Sequence, residues 1–335
     1  MKLSTIIIAV LIFGFLIVIH ELGHFISAKL SKVRVEEFAI GMGPKIFGYQ
    51  GKETLYTLRL IPMGGFCKML GEDENNYTEG SFNSKGKLNR IIILAAGSIM
   101  NILGCIILLS TIFIIIGIPT TTITSLEENY PAYEAGIEQG DTIVAINDNE
   151  IKSWEDISQI IDSNEVGIYN LNVLRNNENL NFQVSSQLDE GLNQYRIGIT
   201  PEREKNIFSA VYSGLEQTVL YTKLIFTSLI QLVSGGASTD DLMGPIGVVS
   251  MVGETVKYGI TAILNLAAVI SLNLAIFNLL PIPALDGSRI VFVIIEWIKG
   301  SPISQEKEGM VHFVGFAALL VLAVFIAYKD ILRLG

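Results

Sequence analysis

His20-Glu21-Leu22-Gly23-His24 places two imidazoles and one carboxylate within five residues. On a helix, positions i and i+4 share a face, so both imidazoles can bind one metal ion. Glu21 lies near that face and can reach a water at the metal as a general base. The chain has 3 His, and two of them are in this pentapeptide. A chance match in an apolar helix is the competing reading. It would bury two His and an unpaired carboxylate without purpose, at a cost of several kcal/mol for the carboxylate. The motif is therefore read as a metal site with Glu21 as the catalytic group.

A catalytic zinc takes three protein ligands and keeps a fourth position for water. His312 starts the last apolar run, where a cap or interface role is an ordinary explanation. Asp286 is the better candidate. It stands in Asn278-Leu-Leu-Pro-Ile-Pro-Ala-Leu-Asp-Gly287, at the end of a polar, apolar-rich segment. Pro281 and Pro283 block regular helix hydrogen bonding. Broken backbone at membrane depth is tolerated only where protein or a cavity satisfies it. A turn residue or helix cap is the other reading of Asp286. Cys67 and Cys105 have no metal-site spacing, and Cys105 reads as a buried thiol in an apolar run.

The elements that must position these residues are membrane spans. Of the 335 residues 50% are hydrophobic and 17% charged, with a mean hydropathy of +0.48. Charged residues make up roughly 25% of soluble domains. The formal net charge of -10 argues against nucleic acid, whose phosphates need clustered Lys and Arg. Apolar runs at about 4–30, 91–118 and 311–328 are long enough to cross a bilayer. A fourth, about 260–283, carries Asn265, Asn273 and Asn278; intramembrane polar groups face a protein interior or join helices. Lys2 and the run Leu3–Ile19 resemble a signal peptide, but the run continues into the His motif without a small-x-small site, so it is read as a span. Segment 207–233 is read as an amphipathic interfacial helix, with a fifth span as the alternative.

Charge asymmetry orients these spans. Segment 29–90 holds 10 of the 23 Lys and Arg, whereas 120–206 holds 5 against 16 Asp and Glu. Basic loops stay cytoplasmic, which places 31–90 inside and 119–206 outside. The outer segment has strand-like runs at Asp141–Asn147 and Asn170–Leu174 and helical spacing over Trp154–Ile161, enough for a compact αβ domain. The inner segment, with Leu55–Leu60 rich in β-formers, predicts hairpins at the membrane surface.

The first-span His-Glu-x-x-His together with the later Asn-x-x-Pro-x-Pro-x-Leu-Asp-Gly resembles the site-2 protease family of intramembrane metalloproteases, closest to its bacterial RseP/RasP-like branch. The resemblance covers nearly the whole chain. Gly64–Met69 looks like the family's membrane-associated β-loop, and Gly244–Gly247 like the segment before its third span. Pro131–Ile137 and Gly140-Asp141 are similar to bacterial PDZ domains. Two departures are Ser288 where the family often has Gly, and Ser98 where many members have Pro.

What the resemblance implies is a multi-span α-helical bacterial inner-membrane protein of about four spans. It would carry a cytoplasmic β-rich region and one extracytoplasmic PDZ-like domain, arranged as 1–118, 119–206 and 207–335. His20, His24 and Asp286 would bind Zn2+, with Glu21 as base. Asn101, Asn273 and Asn278 are candidates for substrate contact or oxyanion stabilisation. The substrates would be single-span proteins of the bilayer, such as anti-sigma factors or remnant signal peptides, held as a strand near 55–69. The PDZ-like domain would act as a size filter or bind peptide near Tyr195–Ile199. A membrane scaffold with a degenerate site and a metal transporter are the competing classes. The intact ligand set argues against the first, and the scarcity of other intramembrane acids against the second.

Overall fold

The structure is a computed structural model that describes residues 3–72, 74, 76–161, 167–189, 194–236 and 243–334. It divides into two compact units, Met1–Ile112 with Gly214–Gly335, and Phe113–Ser213.

The first helix, α1 (Leu3–Leu30), is apolar from Ile6 to Ile19, then carries His20, Glu21 and His24, and ends beside Lys29. Its 28 residues extend about 42 Å at 1.5 Å per residue. Two long strands follow, β1 (Val35–Gln50) and β2 (Leu55–Met69), and each bends so that the pair makes a broader sheet. Segment 35–40 is central, since Phe38 opposes Cys67 on one side and Tyr56 on the other. Segment 55–58 is also paired on its far side, with Gln50 opposite Leu55 and Tyr49 opposite Tyr56. The edges are therefore 45–50 and 65–69. A buried cluster including Ala28, Val33, Phe38, Met69, Ile93 and Val293 seats this sheet against α2 (Lys87–Ile116) and the far C-terminal half.

The second unit contains β3 (Ile118–Leu126), α3 (Pro131–Glu134), β4 (Thr142–Ile146), β5 (Asn149–Glu150) and α4 (Trp154–Ile161). It continues with β6 (Ile168–Arg175), β7 (Glu178–Ser185), β8 (Gln187–Asp189), β9 (Gln194–Arg196) and β10 (Ile199–Glu204). The main sheet runs β10-β3-β4-β6-β7, with β5 paired to β4, and β8 pairs with β9. Asn176 and Asn177 both have positive φ, the geometry that closes a two-residue hairpin between β6 and β7. Ile143, Ile146, Ile157, Leu171, Val173 and Ile197 form its core. A groove of about 370 Å³ opens between α4 and the segment Gln194–Ile199. This is the arrangement expected of a PDZ-like domain.

The chain returns to the first unit with α5 (Ile207–Val233). Its Thr218 hydroxyl lies 3.7 Å from Cys105 Sγ, and Tyr221 donates to Asn265 at 3.0 Å. Next come α6 (Pro245–Thr255), α7 (Ile260–Leu279), α8 (Asp286–Lys299) and α9 (Gln305–Leu334). The first turn of α6 is capped from a distance, with Gly244 and Gly247 N–H donating to the Asp330 carboxylate at 3.2 and 2.8 Å. Among the described residues, four helices are long and apolar enough to cross a membrane: α1, α2, α7 and Gln305–Arg333 of α9. The helix expected over 260–283 stops at Leu279 because Pro281 and Pro283 cannot continue it.

Candidate metal and catalytic centre

Three side chains from distant parts of the sequence converge between α1 and α8. His20 Nε2 lies 3.1 Å from Asp286 Oδ2, His24 Nε2 lies 3.3 Å from the same oxygen, and the two Nε2 atoms are 3.2 Å apart. The donors thus form a nearly equilateral triangle. Zinc bonds of about 2.0–2.1 Å in a tetrahedron require ligand atoms about 3.3 Å apart. The chemistry of the set, two imidazoles and one carboxylate, and its spacing both fit zinc. Both His are buried, whereas the Asp286 side chain is 24% exposed.

Close helix packing creates this geometry. Gly23 brings α1 against α2, since a Cβ there would fall 2.3 Å from the Ala96 carbonyl oxygen. Gly97 leaves the space that the imidazoles occupy. His24 Nδ1 meets the Ile93 carbonyl oxygen at 2.9 Å, which fixes the proton on Nδ1 and leaves Nε2 as the lone-pair donor. On the other side, the first turn of α8 rests on the end of α7, where a Cβ at Gly287 would lie 2.3 Å from the Leu280 carbonyl oxygen. Ser288, one of the departures from the family pattern, is accommodated by donating its hydroxyl to Leu285 O at 2.7 Å. The turn before Asp286 is tied to α9. Ala284, at φ 79, donates its N–H to His312 Nδ1 at 3.0 Å. His312 is thus a support for the loop and is not one of the converging donors.

A cavity of about 410 Å³ opens on the triad and is lined by Glu21, Phe66, Cys67, Met69, Ala284 and Arg289 among others. Glu21 lies at the sheet edge, its Cγ 3.3 Å from where a Cβ on Gly65 would stand, and it lines the cavity together with Cys67. Leu70 N–H donates inward to Arg34 O at 2.9 Å. Backbone groups alternate in direction along a strand, so those of Met69, Cys67 and Gly65 turn outward. The unpaired edge and the carboxylate therefore share one side of the cavity. Arg289 of α8 forms an ion pair with Glu72, joining the end of β2 to the helix that carries Asp286.

The three Asn candidates separate. Asn278 Nδ2 lies 3.4 Å from His20 Nε2, at the triad. Asn101 is fully buried behind His20, with Nδ2 3.4 Å from Nδ1. Asn273 is half-buried on α7 and does not line the cavity. Gly97 and Gly23 are the positions whose part was not anticipated. The only local signal was a small residue in each helix, and its meaning depends on the helix opposite.

The fold and the site define a membrane-embedded metallohydrolase, and comparison with known proteins gives it a family. The model described as peptidase family M50 matches residues 8–322. A Clostridium acetobutylicum chain is 38% identical over 333 residues, covering 99% of this chain and 98% of its own. The regulator of sigma-W protease RasP of Bacillus subtilis is 33% identical over 420 residues, covering 100% of both chains. Zinc metalloprotease RasP of Oceanobacillus iheyensis is 31% identical over 422 residues, covering 99% and 100%. Among solved structures, the PDZ domain of a SdrC-like protein from Listeria monocytogenes aligns with 25% of this chain and 87% of its own, at 24% identity and a TM-score of 0.23. The chain belongs to peptidase family M50. It is a membrane zinc metalloprotease of the site-2 type.

Proposed function

We propose that this protein hydrolyses peptide bonds inside the transmembrane segments of single-span membrane proteins, with His20, His24 and Asp286 as zinc ligands and Glu21 as general base. The observation that carries this reading is the triangle of donors at 3.1–3.3 Å, built partly on an apolar helix of 28 residues. Zinc, when bound, lowers the pKa of water and polarises a carbonyl group. Glu21 takes the proton of the attacking water and returns it to the leaving amine. Asn278, beside the triad, is placed to hydrogen-bond the developing oxyanion.

A peptide bond in a membrane helix is shielded because its amide groups are satisfied internally. The substrate must unwind, and its freed backbone needs partners. The outward groups of Gly65, Cys67 and Met69 offer them without demanding a sequence. Exposed apolar side chains on the same sheet, including Met42, Ile46, Phe47, Leu60 and Ile61, support contact of this region with the membrane.

His20 lies about 26 Å along α1 from Leu3, in the half nearer Lys29. With the basic segment 31–90 on the cytoplasmic side, cleavage falls in the inner half of the substrate's span. The PDZ-like unit is then extracytoplasmic and filters out substrates with bulky outer domains. Anti-sigma factors already cut outside the membrane and remnant signal peptides are the substrate classes this predicts. The Bacillus subtilis relative's name, a regulator of sigma-W protease, supports the first.

The test is reconstitution of the full chain with a single-span substrate and mass spectrometry of the fragments. Scissile bonds in the inner half of the span support the proposal, and cuts only in soluble segments refute it. Removing 120–200 should broaden cleavage to substrates with large outer domains; unchanged selectivity would exclude the filter.

A further inference from the structure

We infer that Asn101 is a positioning residue that fixes the tautomer of His20 and thereby sets zinc affinity, and does not act on substrate. The inference rests on His20 being a zinc ligand through Nε2, as proposed above. An imidazole that offers Nε2 to a metal carries its proton on Nδ1. That N–H is buried with His20 and needs an acceptor.

Asn101 provides one. Its amide lies 3.4 Å from His20 Nδ1, and the residue has no exposed surface. As oriented, Nδ2 faces the ring, while Oδ1 is buried with no hydrogen-bond partner. The two ends of an amide have the same size and shape. Turning it over places Oδ1 against Nδ1–H and gives that oxygen the donor it lacks. A neighbouring contact holds the residue at this depth, with the Ser271 hydroxyl of α7 donating to the Asn101 backbone carbonyl at 2.8 Å. His24 has the same support in another form, the Ile93 carbonyl on its own Nδ1. Each imidazole is thus anchored from α2, one by a main-chain oxygen and one by a side-chain oxygen.

The experiment compares the full chain in detergent micelles as wild type, Asn101→Leu, Asn101→Asp and His20→Ala. Zinc affinity is measured by chelator competition, independently of cleavage. Loss of an outer partner of a ligating His costs roughly 10–100-fold in metal affinity. Asn101→Leu should weaken zinc by that factor, and Asn101→Asp, which keeps an acceptor, should stay close to wild type. Wild-type zinc affinity in a folded Asn101→Leu, with kcat alone reduced, would overturn the inference and return Asn101 to a substrate role. His20→Ala separates the two levels. If it binds zinc like wild type, the ligand reading itself fails; if it loses zinc while Asn101→Leu does not, only the role of Asn101 fails.

One further measurement needs no variant at position 101. In zinc-loaded wild type labelled with 15N-histidine, His20 should show a slowly exchanging proton on Nδ1. A proton there that exchanges as fast as solvent-exposed imidazole would also overturn the inference.

Discussion

A Cβ added at Gly97 would fall 2.3 Å from His24 Nε2 and 2.8 Å from His20 Nε2. The glycine on α2 therefore supplies the space in which the two imidazoles converge. Close-packed interiors transmit such an overlap instead of absorbing it. Gly97→Ala should displace at least one donor and lower zinc affinity by about tenfold or more. Zinc content after dialysis against a graded chelator checks this, alongside wild-type helix content by circular dichroism.

Cys67 and Glu21 line the same cavity, and the Cys67 thiol is buried. Burial, and next the nearby Glu21 carboxylate, push the thiol upward. Alkylation by maleimide at pH 7 should accordingly be slow in the folded protein. Cys67→Ala keeps the N–H and should cleave at close to the wild-type rate. Cys67→Pro removes the N–H and blocks strand addition, so it should lose at least about tenfold in kcat/KM with zinc retained. Equal loss in both variants would point to the thiol instead.

The loop before Asp286 depends on a contact from α9. His312→Ala removes the acceptor of the half-buried Ala284 N–H, a loss of about 1 kcal/mol. Because the loop ends at a proposed ligand, part of that loss should read as weaker zinc binding. His312→Asn, with an oxygen near the position of Nδ1, should recover much of it. Chelator competition on the pair gives the answer.

The Phe113–Ser213 unit carries its own pH dependence. Asp141 is fully buried and receives Arg175 Nε and Nη2 at 2.7 Å each and the Glu138 N–H at 2.9 Å. Burial opposes its ionisation, but the Arg175 and Glu138 bonds outweigh that and hold the carboxyl below its usual range. The unfolded chain thus binds this proton more tightly than the folded one. The linked stability is complete above the unfolded value, near 3.9, and is lost as pH falls through the folded value. Hydrogen exchange in β4 and β6, corrected for intrinsic rates, should accelerate over that interval. Asp141→Asn should lower the stability of this unit by about 2 kcal/mol at pH 7 and flatten its acid dependence.

The parts of this architecture that local pattern can encode were legible in the sequence. The i, i+4 spacing of His20 and His24 predicts two imidazoles on one face, and Trp154–Ile161 is helical over the expected residues. Asp286 is different in kind. Asp-Gly alone reads as a turn or helix cap, whereas Asp286 is the first residue of α8, after Leu285 at the cap position, and its carboxylate makes no capping bond. The proline-broken segment made it a candidate and the resemblance to a family made it the expected ligand, but its meeting with His20 depends on packing across 266 positions. The amphipathic α8 went unanticipated because its apolar face alternates with Arg289, Glu296 and Lys299 and is too short to read as a span. Asn101 was expected at the substrate. Residue type alone does not say whether an intramembrane amide faces a cavity or the back of a ligand. That 65–69 is an edge and 55–58 is not was hidden, because strand order within a bent pair is set by pairing that spacing does not display.

The central claim is that Glu21 moves the proton at a zinc site held by His20, His24 and Asp286. Its most direct test is cleavage of a single-span substrate by wild type and Glu21→Gln, with bound zinc quantified in both. The account predicts one zinc per chain in each protein and a loss of roughly 10²–10⁴-fold in kcat for Glu21→Gln. Cleavage by Glu21→Gln at the wild-type rate, with zinc present, would contradict it.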